Sequence, residues 1–359
     1  METLQRTCLF EEHVAAGGRM VPFAGWEMPV QYQGVIPEVK AVRENCGVFD
    51  VSHMGQLTVH RPGVTEALNK IISADWGHIE VGRVAYALLL NEEGGVIDDI
   101  MGYRVAESVW HIVVNASRTE IDEAHFRLHL PQEIQLFNHY DNQAMLAIQG
   151  PRTAEILQGI TDKDLTAMVW RDCAIVEIAN VEGFLARGGY TGSVGFEFMF
   201  KGDDAPQVWR ALLEAGAVPC GLGARDVLRL EAGLPLYGHE LRETWTPYES
   251  GIGFAAKINK PDFIGRDALL EKQTPAHRIR ALKMEGKGIP REGYPVIWGG
   301  VQVGEVTSGT MSPTIGSGIA LAMLPNSINV GDEVQVQIRN ALHPAHIVKP
   351  PFVAHQSRK

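Results

Sequence analysis

No two of the four cysteines, Cys8, Cys46, Cys173 and Cys220, lie close in sequence. That excludes a CxxC metal or redox pair, and wide spacing in a large chain fits reduced thiols in a cytoplasm-like compartment. Positive charge is also scarce. Lys and Arg number 32 against 43 Asp and Glu, a formal net charge of −11. This argues against unspecific binding to nucleic acid or to an anionic membrane surface, while leaving room for a local basic pocket. Long hydrophobic runs are missing; "AYALLL" falls far short of a membrane span. The first residues, "METLQRTCLFEEHVAAGGRM", hold no signal-peptide core, and their early acids argue against a transit peptide. There is no HExxH, no His/Cys cluster and no GxxxxGK[ST], so no metal site and no P-loop are expected.

What is present is a chain of 359 residues, 45% hydrophobic, with 38 glycines. It is too long for one ordinary core, so two or three domains are expected. Helices are predicted at "LFEEHVAAGG", "IPEVKAVREN", "VTEALNKIIS", "SRTEIDEAHFRLHL", "PRTAEILQGI" and "DAPQVWRALLEAGA". "RVAYALLLNEEGGVIDDIMGYRVAESVWHIVVNAS" and "CAIVEIANVEGFLARGGYTGSVGFEFMF" read as β-meanders. "MVPFAGWEMPVQYQG" reads as a loop, and "GVFDVSHMGQLTVHRPG" as a turn and a strand. This order indicates α+β domains rather than a doubly wound sheet. From about residue 276 short strands punctuated by Gly and Pro predict a separate all-β barrel or sandwich, after a linker at "LEKQTPAH".

Four stretches carry candidate chemistry. In "NEEGGVIDDIMGYR", Asp98 and Asp99 sit where the chain turns apolar. Alternation puts Asp98 with Ile100 and Gly102, and Asp99 with Ile97, Met101 and Tyr103. In "GGYTGSVGFEFMF", Glu197 stands between Phe196 and Phe198. It is either on a solvent face or holding a donor-rich partner such as an aminopyrimidine edge. In "GARDVLRLEAGLPLYG", Arg225 and Arg229 are four apart, opposite Val227, Leu228 and Leu230. They belong to an amphipathic surface helix or form a guanidinium clamp for a carboxylate. In "DVSHMG", Ser52 and His53 are adjacent and face apart, so they are no nucleophile–base pair. "GLGARD" lacks the third glycine of a dinucleotide fingerprint.

Together, "MVPFAGWEMPVQY", "GVFDVSHMG", "LNEEGGVIDD", "GYTGSVGFE", "CGLGARDVLRLEAGLPLYGHEL", "FIGRDAL" and "GEVTSGTMSPTIGSGIALA" resemble the glycine cleavage T-protein family, tetrahydrofolate-dependent aminomethyltransferases. The resemblance runs to "VKPPF", over nearly the whole chain. It implies a three-domain cloverleaf: two mixed α/β domains around a central folate-binding hole, and a C-terminal, jelly-roll-like β-barrel. The implied domains are residues 1–50 with 138–275, an inserted domain at 51–137, and the barrel at 276–359. The implied reaction moves a one-carbon unit from the aminomethylated lipoyl arm of H-protein to tetrahydrofolate. It yields 5,10-methylenetetrahydrofolate, ammonia and the dihydrolipoyl arm, in the cytoplasm, with no metal, nucleic acid or membrane involved.

By the same resemblance, Asp98 is the catalytic carboxylate and Asp99 its structural partner. Glu197 grips the pterin. Met54, Tyr86, Tyr190 and Tyr237 surround the folate rings, and Asn115 is a polar contact. Arg225 binds substrate, with Arg229 in the same site. Two positions depart from the family pattern: Ser193 replaces a frequent acid after "GYTG", and Pro22 a frequent Asp before "FAGW". Rival readings are another folate-dependent demethylase on this scaffold and a folate-binding iron–sulfur assembly factor. The second carries a Cys-containing motif, and the aligned "KINKPDFIGRDAL" has no Cys.

Overall fold

The computed structural model describes residues 3–139 and 142–356; the last three residues of the tail "VAHQSRK" lie outside them. The chain is α+β, with two mixed sheet–helix units and a closed barrel. A six-stranded sheet runs in the order Cys173–Ile178, Val181–Arg187, Gly195–Lys201, Gln143–Gln149, Gly47–Asp50, Val218–Pro219. Its first three strands are one of the two predicted meanders. Gln143–Gln149 reads as a continuous apolar run because both faces are covered. Ala144, Leu146 and Ile148 join one core, and Met145 and Ala147 another.

The second sheet has five strands in the order Val84–Leu90, Val96–Ala106, Val109–Val114, Gly55–His60, Gln135–Asn138. "GVFDVSHMGQLTVHRPG" therefore contributes two strands, one to each sheet, instead of one. The first ends where Asp50 turns inward to accept from Thr7 (2.6 Å), His13 (2.9 Å) and the Ser52 N–H (2.9 Å). The stretch expected to be a loop, residues 20–34, forms most of a hairpin, Arg19–Phe23 with Trp26–Gln31. Its two-residue turn has Ala24 and Gly25 at φ 48° and 85°, the left-handed pair that matches strand twist. Pro22 and Pro29 hid it, since proline argues against a central strand; in this two-stranded ribbon both strands are edges.

From His277 to Val348, six strands close into a barrel, where the sequence changes character. The helix Leu222–Glu231 packs between the hairpin, the helix Val35–Glu44 and the barrel. It is buried nearly all round, down to Arg229 and Glu231. A Cβ on Gly221 would lie 2.4 Å from the Val30 backbone, and one on Gly223 2.7 Å from Val35. The glycines of "GLGARD" thus admit the hairpin at the start of the helix.

Candidate functional site

Strand Val96–Ala106 separates the two acids. A bulge beside Leu89 and Leu90 makes Ile97 the extra residue, and Ile97 joins the core under the five-stranded sheet. Beyond it alternation holds. Asp98, Ile100 and Gly102 face that core; a Cβ on Gly102 would meet the Trp76 ring at 2.2 Å. Asp99, Met101 and Tyr103 face the six-stranded sheet, where Met101 and Tyr103 pack with Ala147, Ala186 and Met54.

The two carboxylates therefore live differently. Asp98 has no exposed surface. It accepts from the Asn115 main-chain N–H (2.9 Å) and side-chain amide (2.8 Å), and lies against Asp122 of the helix Thr119–His129. Asp99 is half-buried. It accepts from the Tyr86 hydroxyl (3.0 Å) and from the same Asn115 amide (2.8 Å). Asn115 is thus a bridge between them. Burial first, then the Asp98 charge, push Asp99 up to about 7, against the pull of Asn115 and Tyr86.

On the facing sheet Glu197 is half-buried between buried Phe196 and Phe198. The residues opposite it on both neighbouring strands are alanines, Ala186 and Ala147, which leaves space beside the carboxylate. The Tyr103 hydroxyl donates to one oxygen at 3.2 Å. Burial pushes Glu197 up; the Arg225 charge and this hydrogen bond oppose it. Arg225 lies over the Tyr190 ring at 4.9 Å, and its Nη1 is buried with no hydrogen-bond partner among the described residues. His53 Nδ1, beneath Phe23, is equally unpartnered. Burial, aided by Arg225, holds that imidazole down at about 4, so it is neutral at pH 7.

Tyr190 joins the two walls. Its hydroxyl donates to the Pro235 carbonyl, and the loop below it is pinned by Gln149, which bonds Gly188 (2.9 Å) and Thr191 (2.7 Å). Burial raises its hydroxyl, Arg229 and Arg225 lower it, and Asp99 raises it; the phenol thus feels the arginines and the acid together. Tyr86 stacks near Phe254, with centroids 6.5 Å apart. Tyr237 lies under the Arg118 guanidinium at 4.7 Å. Met54 is half-buried at the edge of the shared core.

Arg229 also neighbours Tyr190 but is spent on protein partners. It is 2% exposed, and every guanidinium nitrogen has a protein partner: Asp226 (2.9 and 2.8 Å), Leu234 (3.2 Å), Glu240 (3.1 Å) and Ser308 (2.7 Å). Thr307 donates to Glu240 (2.5 Å) and Ser312 to Glu231 (2.5 Å), while Arg43 pairs with Glu231 (2.7 Å). The conspicuous "GEVTSGTMSPT" stretch thus clasps the helix to the barrel. Ser193 accepts from Arg43 at 2.8 Å. Strand alternation placed Tyr103 on the Asp99 face, but sequence reasoning did not name it as a site residue. That reasoning also passed over His53 as a site neighbour, and over Asp122 and Glu231, for which no local pattern gives a signal.

The GCVT N-terminal domain family matches residues 9–260, and the glycine cleavage T-protein C-terminal barrel domain family matches residues 277–354. The chain belongs to the glycine cleavage T-protein family. It is an enzyme, an aminomethyltransferase. An aminomethyltransferase of Symbiobacterium thermophilum is 45% identical, with all of both chains covered. That of Thermotoga maritima is 41% identical over 97% of this chain and 98% of its own. The crystal structure of glycine cleavage system aminomethyltransferase T from Bartonella henselae superposes with a TM-score of 0.93. It is 30% identical and covers 98% of this T-protein and 99% of its own chain. Among the described residues of this T-protein, no group of three or more His, Cys, Asp or Glu could hold a metal, and no helix is long and apolar enough to cross a membrane.

Proposed function

We propose that this T-protein takes the one-carbon unit from the aminomethylated lipoyl arm of H-protein and passes it to tetrahydrofolate. Ammonia is released, and 5,10-methylenetetrahydrofolate forms. The observation that carries the reading is the pairing of half-buried Glu197 with a buried, unpartnered Arg225 N–H, across Tyr190 from Asp99. An orphaned buried donor costs about 1–3 kcal/mol, a cost a bound ligand removes. Glu197, with space over it, suits the adjacent N–H groups of a pterin edge. Arg225 suits a carbonyl or carboxylate acceptor of the same molecule. Tyr86, Tyr190, Tyr237 and Met54 supply flat and soft apolar surface for its rings. Arg229, with every nitrogen engaged, anchors the helix instead of meeting ligand.

Tetrahydrofolate supplies the nitrogen that accepts the one-carbon unit. The Asp98–Asp99 pair supplies the carboxylate. The resemblance gives the catalytic role to Asp98. Because Asp98 has no exposed surface and Asp99 is half-buried, we assign to Asp99 instead the part of presenting accessible oxygens, orienting the reacting nitrogen and stabilising positive charge as ammonia leaves. Asp98 stands behind it as a fixed, buried charge, joined through Asn115. All four cysteines are free thiols, in keeping with a cytoplasmic setting. The test is direct. Mixed with tetrahydrofolate and aminomethylated H-protein, the protein should release ammonia in step with methylenetetrahydrofolate. No ammonia there, with turnover of a methyl-sulfur or N-methyl donor, would make it a demethylase on this scaffold.

A further inference from the structure

Asp122 lies fully buried on the helix Thr119–His129, against Asp98. Among the described residues no N–H or O–H group donates to either of its oxygens. Asp98, by contrast, accepts two N–H groups from Asn115. Two carboxylates in contact and out of water cannot both stay ionised. The one without donors should keep the proton, because protonation converts it from an unsatisfied acceptor into a donor. The other charged and titratable groups around it do not replace that proton. Arg118, the nearest cation, is engaged by the Ile97 carbonyl (2.9 Å), by Glu243 and by the Tyr237 ring. Tyr86 donates to Asp99, not to Asp122.

We propose that Asp122 is a positioning residue: it stands as a neutral acid, donates to Asp98, and so keeps the negative charge on Asp98 behind Asp99. The inference rests on the reading of Asp98 and Asp99 as the reaction's carboxylates. It gives three acids three states: Asp122 protonated, Asp98 ionised, and Asp99 titrating in the working range because Asp98 is charged. Burial first, then the Asp98 charge, push Asp122 far above the carboxylate range, in the same direction as the hydrogen-bond argument.

Two variants test it. Asp122→Asn keeps a donor toward Asp98 with no ionisable group; Asp122→Leu keeps volume and removes the donor. The first measurement needs no substrate: thermal unfolding of the parent and of Asp122→Asn from pH 5 to pH 8. A folded state that holds a proton the unfolded chain releases loses stability as pH rises. The Tm advantage of Asp122→Asn should therefore grow with pH; a flat or shrinking difference means Asp122 is ionised in the parent and overturns the proposal. The second is the pH profile of kcat. Asp122→Asn should keep the parent's acid limb. Asp122→Leu should move it to lower pH, because Asp98 without its donor takes up a proton and Asp99 loses its charged neighbour. A shifted limb in Asp122→Asn, or an unshifted one in Asp122→Leu, overturns the positioning role. If the Tm difference grows with pH but the parent shows no acid limb, the positioning role falls together with the reading of Asp99, while the protonation of Asp122 stands.

Discussion

Arg225 and Arg229 stand one turn apart on the same helix and do opposite work. Arg229 faces the barrel, and all its nitrogens meet protein partners. Arg225 faces the strand that carries Glu197 and keeps a buried N–H without a partner. Asp98 and Asp99 repeat the contrast on a strand: one is sealed among Asn115 and Asp122, the other half-open under Tyr86. In each pair the protein satisfies one member and leaves capacity on its neighbour. A folded chain keeps such unmet capacity where something else supplies the partner. Charge and residue type do not distinguish the members; what the neighbouring elements bring to each does.

The largest effect should come from the accessible acid. Asp99→Asn should lower kcat by about 10²–10⁴-fold, the range of a lost acid–base or charge-stabilising group, with the folate KM little changed. Its Tm at pH 8 should hold or rise, since a buried like charge is removed. Asp98→Asn should lower Tm, because a fixed anion is lost from two N–H donors. Equal Tm losses in both variants would erase the distinction between the two acids.

Next comes the helix. Arg229→Ala leaves Glu240, itself fully buried, without its cation, and should cost about 3–5 kcal/mol in urea unfolding. Arg225→Ala should stay within about 1 kcal/mol of the parent, as no protein partner is stranded beyond the Glu197 charge. Comparable losses would put both arginines in the scaffold.

Binding is the next step down. Glu197→Gln and Arg225→Lys should each raise the tetrahydrofolate KM by roughly tenfold or more, the scale of one charge-assisted hydrogen bond of ~1.5–3 kcal/mol. Lys cannot present the planar fork, so parental kinetics in Arg225→Lys would remove Arg225 from the site.

The smallest effect is a slope. Asp99, pushed up to about 7, is protonated below that pH, so kcat should fall as pH drops through about 7. Stability runs the other way. Between the ordinary carboxylate range and about pH 7 the folded state holds a proton that the unfolded chain has released, so stability declines as pH rises across that window. Asp99→Asn should remove the kcat slope and lessen the stability slope, leaving the part that protonated Asp122 contributes.

Much of this was legible in the sequence. Both meanders and the barrel's start near residue 276 follow from alternation and from Gly and Pro breaks. So does the facing of Asp99 with Met101 and Tyr103, because the period of a strand is two. Ile97 escaped that rule because a bulge adds one residue. The hairpin at Arg19–Gln31 escaped because prolines, excluded from central strands, are tolerated on edges. The stretch around Leu222–Glu231 left a surface helix and an arginine clamp both open, because Arg225 and Arg229 share a side opposite Val227, Leu228 and Leu230. It is buried because each charge meets its counterpart.

By itself, the amino-acid sequence determined most of the elements, the break before the barrel, the family, and the set of acids, arginines and aromatics available for chemistry. Only the tertiary structure decided how those groups are shared out. Arg229 meets Ser308 across 79 residues, and Tyr103 meets Glu197 across 94. The periods of strands and helices, two and about 3.6 residues, say which way a side chain faces within its own element. They carry no information about what another element, tens of residues away, brings to that face.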